Sequence, residues 1–354
     1  MLASEVPAQE ERFTATVEVQ EVLLDVLVTD DQGNVVLGLG PQDFVVEADG
    51  EPVPVRSVSF TAHRQLLALS SPSSNSSGKS SAAPAEELPR LFTLAFIRPS
   101  GARDPQRAIR FPLAGERGFR WAIEDLLPDD RIAAVSFDGL RLRIAHDFTT
   151  DRRRLGDALY LAALGQLPDH RWPSRTEAPE AGVSLAAHHG LETADPQGET
   201  LGAALGRLAE ALGGVAGRKN LVLLGAEPPR PGSLRWQEED WDLTVEALNA
   251  HNVAVYGLPV QRRGRSAGLD HLAAATGGWS FYRFDDLDGP LRQIARETSG
   301  YYLLSIEAPA ATSEDDEGYR QLRVSTVQPQ LNARSRGGFR NPPAKDPASG
   351  NEAR

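Results

Sequence analysis

Two apolar runs that end abruptly in polar residues hold the groups best placed to do chemistry. Residues 91–102 read LFTLAFIRPSGA and residues 220–227 read NLVLLGAE. Each has the length and unbroken apolarity of a central strand buried on both faces of a parallel sheet. Ligands of such sheets collect just beyond the carboxyl ends of the strands, so chemistry is expected at residues 98–104 and 225–229. Other groupings are less promising. Asp129-Asp130 has the form of a catalytic carboxylate pair, but it precedes a strand and so falls on the far side of the sheet, where it is expected to cap and turn. His170, His188 and His189 share an irregular stretch, yet adjacent histidines diverge and no His-x3-His spacing is present. Trp172, Trp236 and Trp241 lie among prolines and charges, as partner contacts or as packing beneath loops.

The elements that must position these residues follow from pattern. Residues 13–29 (FTATVEVQEVLLDVLVT) are rich in β-branched residues and read as one long or bulged strand. A short strand is expected at VVLGL, then two more around Asp49-Gly50, a strong hairpin signal. Residues 103–127 carry helical spacing at Phe119, Ile123, Leu126 and Leu127. A strand pair is expected over residues 132–148, with Thr149-Thr150-Asp151 capping the next helix. Residues 166–197 form a long irregular stretch. Beyond it the order is helix (GETLGAALGRLAEALGG), the NLVLLGAE strand, a Trp-bearing loop, helix, strand (NVAVYGLPV), helix, short strand (WSFYRF) and a last helix. After residue 300 the pattern returns to strand. Alternation of this kind implies βαβ crossovers.

This order gives an α/β unit over residues 90–298, set within a β unit made of residues 13–60 and 301–340. Neither β piece has enough strands to close a core alone, so packing against each other is the economical solution. A Ser-rich stretch at residues 66–89 is expected to be a flexible linker and residues 341–354 a disordered tail.

Composition removes several classes of function. The chain has 354 residues, 40% hydrophobic, so a sizeable core is within reach. Its net charge of -12 disfavours nonspecific nucleic-acid binding. There is no cysteine, which excludes disulfides, thiolate metal sites and cysteine nucleophiles. No apolar run approaches the roughly 20 residues of a membrane helix. No Gly-x-Ser-x-Gly or P-loop sequence occurs, and Thr276-Gly277-Gly278 reads as a helix stop. The first residues lack the basic start and apolar core of a signal peptide, leaving a cytoplasmic protein or one whose leader was removed.

Several phrases together resemble a known family. VLLDVLVTDDQGNVVLGLGPQDFVVEADGEP, LLPDDRIAAVSFD, DFTTDRRRL, GRKNLVLLG, ALNAHNVAVYGLP, LAAATGGWSF, SGYYLLSIEAP, YRQLRVST and ARSRGGF span residues 22–339. In order and spacing they resemble the von Willebrand factor type A (VWFA)-related proteins of acidobacterial type. The resemblance implies a Rossmann-like doubly wound VWFA domain inserted in a discontinuous β-sandwich, an extracytoplasmic setting, and a role in binding a protein partner without catalysis.

The resemblance also implies a metal-ion-dependent adhesion site built from Asp-x-Ser-x-Ser, a Thr, and an Asp after a later strand. Carried over, Arg98 stands at the first Asp position, Ser100 keeps the middle Ser, Ala102 replaces the last Ser, Thr200 matches the Thr, and Ala226 replaces the later Asp. Putting a cation beside a dication where an anion belongs is unfavourable by on the order of 10 kcal/mol before relaxation. A millimolar site is worth only about 4 kcal/mol. The expectation is therefore an interaction module with no metal or other cofactor. In it, Arg98 either meets a partner's carboxylate or pairs internally with Asp104 or Glu227. The alternative is a metal-assisted binding protein with Asp104 and Glu227 as rearranged ligands.

Overall fold

The computed structural model describes residues 21–62, 89–98, 107–167, 184–185, 198–215, 217–260, 265–283, 286–307 and 319–340. Residues 13–20 of the first expected strand, residues 66–88 of the expected 66–89 linker, the tail at 341–354, most of the 166–197 stretch, Trp172, His170, His188 and His189 lie outside them.

The central sheet is built from β5 (Leu91–Ile97), β6 (Arg131–Phe137), β7 (Leu142–Thr149), β8 (Lys219–Leu224), β9 (Val253–Leu258) and β10 (Trp279–Ser280), in the order β10-β9-β8-β5-β6-β7. All neighbours are parallel except β6 and β7, the expected antiparallel pair. The chain builds outward from β5 in one direction, then returns to build from β8 in the other. A topological switch point thus lies between these two strands.

Burial on both faces explains why β5 is apolar at nearly every position. Leu91, Ala95 and Ile97 enter one core, while Phe92, Leu94 and Phe96 enter the other, as the two-residue period of a strand requires. The second core is covered by α1 (Arg107–Glu124), α2 (Arg152–Leu164) and α7 (Asp288–Glu297). The first is covered by α3 (Leu201–Gly213), α4 (Leu234–Glu238), α5 (Trp241–Ala250) and α6 (Ala267–Ala275). On α1 the inward residues are Phe111, Ala114, Trp121 and Ala122; Ile123, expected on the apolar face, is exposed. A cap starts α2 as expected, with Asp151 accepting from the Arg153 N–H at 2.9 Å.

The remaining strands are β1 (Glu21–Thr29), β2 (Phe44–Ala48), β3 (Glu51–Val53), β4 (Val55–Ala62), β11 (Gly300–Glu307), β12 (Tyr319–Thr326), β13 (Asn332–Arg334) and β14 (Gly338–Arg340). They form two four-stranded sheets, β13-β1-β11-β4 and β14-β12-β2-β3. Both sheets contain strands from both ends of the chain, and one apolar cluster joins Leu24, Val26, Phe44, Val46, Tyr302, Leu304 and Val324 across them. The β2–β3 turn has Asp49 at φ 52° and Gly50 at φ 87°, the left-handed pair that an Asp-Gly hairpin needs. VVLGL does not form the short strand expected of it. Only Val35 makes a bridge, to Thr29, because Tyr302 holds this segment by its hydroxyl, donating to Val36 O at 2.9 Å and accepting from Leu39 N at 3.1 Å.

These strands meet the central sheet at the amino ends of β8 to β10. Gly337 N donates to Ala275 O at 2.7 Å, Arg336 donates to Asn249 O and Leu23 O, and Arg334 pairs with the fully buried Glu297 at 2.7 Å. Asn252 donates to Asp25, and Lys219, the first residue of β8, is buried beside them. Among the described residues no helix is long and apolar enough to cross a membrane.

Candidate functional site

The carboxyl edge of the central sheet is where the two apolar runs place their polar ends. Arg98 follows β5 and extends its ladder, its N–H donating to Phe137 O at 2.8 Å. Its guanidinium lies 5.8 Å from the centre of the Phe111 ring. It also lies directly against Gly165, the left-handed cap of α2 (φ 66°), leaving no room there for a Cβ. A cation at a helix carboxyl terminus meets the negative end of the helix dipole, and a guanidinium over an aromatic face adds cation–π attraction. Arg98 is thus committed to contacts within the chain, with helix end and ring as its seat. Of the two ion-pair partners expected for it, Asp104 lies outside the described residues, and Glu227 makes no ion pair among them.

The other expected positions fall as follows. Ser100 and Ala102 lie outside the described residues. Thr200 is the N-cap of α3, its hydroxyl accepting from Ala203 N at 3.1 Å. Beside it Glu199 accepts from Leu142 N at 3.1 Å and pairs with Arg207, which ties this loop to the start of β7. Ala226 is buried in the core under α3 to α6. The preceding Gly225 is at φ 83°, with the Phe111 ring and Ile97 O where a side chain would go, so only glycine fits this close crossing. Trp236 and Trp241 are not surface contacts. Both are buried, stacked at 5.6 Å between centroids, and their indole N–H groups donate to Asp242 (2.8 Å) and Glu239 (3.0 Å). Burial of so much aromatic area outweighs exposure, and the expected loop is in fact α4 running into α5.

Asp130 is also explained. It is buried and clasped by Arg90, whose Nε donates at 2.8 Å, and it accepts from Leu127 N at 2.7 Å. This is a structural ion pair at the amino edge, far from the switch point.

A cavity of about 360 Å³ lies beyond the ends of β8 and β9, between Gly225–Pro229 and the start of α6. Pro228, Pro259, Val260, Phe281 and Tyr282 give it apolar walls. Its charges are arranged in pairs. Arg265 bonds Asp270 at 3.2 Å and lies over the Tyr282 ring at 4.7 Å, while Arg235 bonds Glu239 at 2.6 Å. Asp270 also accepts from Ser280, and the Ser266 hydroxyl caps α6 by accepting from Leu269 N at 3.3 Å. Glu227 is exposed on the rim. Residues 225–229, one of the two stretches where chemistry was expected, form one wall; the contribution of Pro259, Val260, Arg265–Asp270, Phe281 and Tyr282 was not anticipated. Among the described residues, no group of three or more His, Asp or Glu side chains is placed to hold a metal ion.

No family model matches the chain, and no curated protein matches it. Among solved structures it is similar to the human COPII-coat protein Sec24c (9% identity, TM-score 0.38, 71% of this chain and 44% of that one). It is also similar to the TFIIH p34 N-terminal domain (14%, 0.35, 59% and 95%) and the SpRpn10 VWA domain (14%, 0.35, 58% and 94%). The chain therefore spans less than half the length of the first of these.

Proposed function

We propose that this chain is a non-enzymatic protein-interaction module of the VWFA-related kind, which engages a protein partner at the carboxyl edge of its central sheet without a metal ion. The observation that carries the reading is the surface of that edge. Ile109 in the first turn of α1, Leu140 after β6 and Leu234 beside the cavity are 72%, 57% and 70% exposed. Of these, Leu234 adjoins the cavity-lining Arg235, and exposed apolar side chains at one end of a sheet offer contact area to a partner. Metal independence draws support from Arg98 and Ala226, which put a cation and a buried methyl where the resemblance calls for carboxylates. In the same reading the two four-stranded sheets are one β-sandwich composed of two chain segments, supported by their shared core, and the setting is extracytoplasmic.

The test is crosslinking capture from native envelope extract, with the Leu140→Asp/Leu234→Asp variant beside the wild type. Loss of the captured partner in the variant is expected; full retention sinks the edge as the docking surface. Calorimetric titration with Mg²⁺, Mn²⁺ and Ca²⁺ is expected to be silent, and millimolar or tighter binding lost in Glu227→Ala would restore the metal-assisted alternative.

A further inference from the structure

We infer that the cavity beyond β8 and β9 receives a basic side chain of the partner, a lysine or arginine, whose charged end is taken by Glu227. The inference rests on the docking edge proposed above and specifies its chemistry. The two arginines that line the cavity each have an anion: Arg265 has Asp270, and Arg235 has Glu239. The positive end of α6 is met by the Ser266 cap and by Asp270 in its first turn. Among the lining side chains, the charge without an ion-pair partner in the described residues is the exposed Glu227 carboxylate. To pair with either lining arginine an acidic ligand would have to displace an internal ion pair; a basic ligand meeting Glu227 need displace none.

The walls suit the rest of such a side chain. Pro228, Pro259, Val260 and Phe281 line a space of about 360 Å³, and the long aliphatic stems of lysine and arginine bury well along apolar surface while the head stays polar. The whole chain, at net charge -12, adds a field that draws basic partners.

Selection of phage-displayed random heptapeptides on the full chain tests this. Enrichment of lysine or arginine next to an apolar residue is expected. The best synthetic peptide should bind about tenfold more weakly to Glu227→Gln, the size expected for a lost charge-assisted hydrogen bond. The Glu227→Lys variant should select no basic peptides. Glu227 is exposed, so both variants should fold. Enrichment of acidic or uncharged peptides, no enrichment, or an unchanged Kd in Glu227→Gln overturns the inference. Crosslinking capture separates this failure from that of the edge. A partner lost in Leu140→Asp/Leu234→Asp but kept in full by Glu227→Gln overturns the basic-side-chain inference alone, whereas one kept by both overturns the docking edge.

Discussion

Lys219 gives the sharpest physical test of the fold. It opens β8, is only 4% exposed, and its ammonium donates to Val215 O at 2.8 Å. Burial strips its water, and although Asp25 favours the charge, Arg336 opposes it; the pKa falls from 10.5 to about 8. Between those values the unfolded chain holds a proton that the folded chain has released, so stability rises with pH. The full difference of about 2.5 units corresponds to roughly 3.4 kcal/mol, of which roughly 2 kcal/mol should appear between about pH 7 and about pH 9.5. Tyr301 acts in the opposite sense. Burial pushes its hydroxyl up to about 12, so the unfolded chain ionises first and stability falls above about pH 10. The lower window isolates the lysine. Urea denaturation of wild type and Lys219→Met across it should give a difference curve that climbs by about 2 kcal/mol in favour of the wild type. A difference curve that is flat or falls would refute the claim that a buried ammonium sits at this junction.

Other variants address the remaining assignments. Asp130→Asn leaves the buried Arg90 without its anion and should cost about 3 kcal/mol or more in urea denaturation; a loss under about 1 kcal/mol would mean the pair is solvated. Trp241→Ala removes one half of the buried indole stack and should cost about 3–5 kcal/mol, with the emission of Trp236 shifting to the red. Thr200→Ala should cost about 1 kcal/mol as a lost helix cap, and Thr200→Ser almost nothing. Arg98→Ala should lower stability by about 1–2 kcal/mol through the α2 terminus and the Phe111 ring while crosslinked partners are retained; loss of partner with unchanged stability would make Arg98 a contact residue.

Much of the α/β unit was legible because its signals are local. The apolar run at β5 and β8, the Asp151 cap and the Asp49-Gly50 turn each carry their cause within a few residues. Alternation of helix and strand implied the parallel crossovers, though not the order of the strands. The site was less legible because its decisive contacts are remote. Nothing near Arg98 in sequence announces that Gly165, at the end of a helix, will be its seat. Nothing about Trp236 and Trp241 distinguishes a buried stack from a pair of surface aromatics until α4 and α5 are folded into the apolar core on that face of the sheet. The spacing of VVLGL favoured a strand, but the Tyr302 hydroxyl claims its backbone groups from a position 266 residues away.

The two edges of the central sheet differ in a way that bears on function. At the amino edge, Arg334 with Glu297, Arg336 with two backbone carbonyls, and Asn252 with Asp25 join the central sheet to the β strands. Asn249 adds a 2.6 Å bond to the Tyr319 hydroxyl. Sliding one layer over the other would strand Glu297 as a buried, unpaired carboxylate, a change that costs several kcal/mol. Apolar contact alone is non-directional and would tolerate such movement; a set of charge-assisted bonds with fixed partners resists it. The amino edge is therefore occupied and stiff, and β8, β9 and β10 are anchored at that end. Their opposite ends carry the cavity and Glu227. A site held on anchored strands loses little freedom when a partner docks, so more of the contact energy survives as affinity.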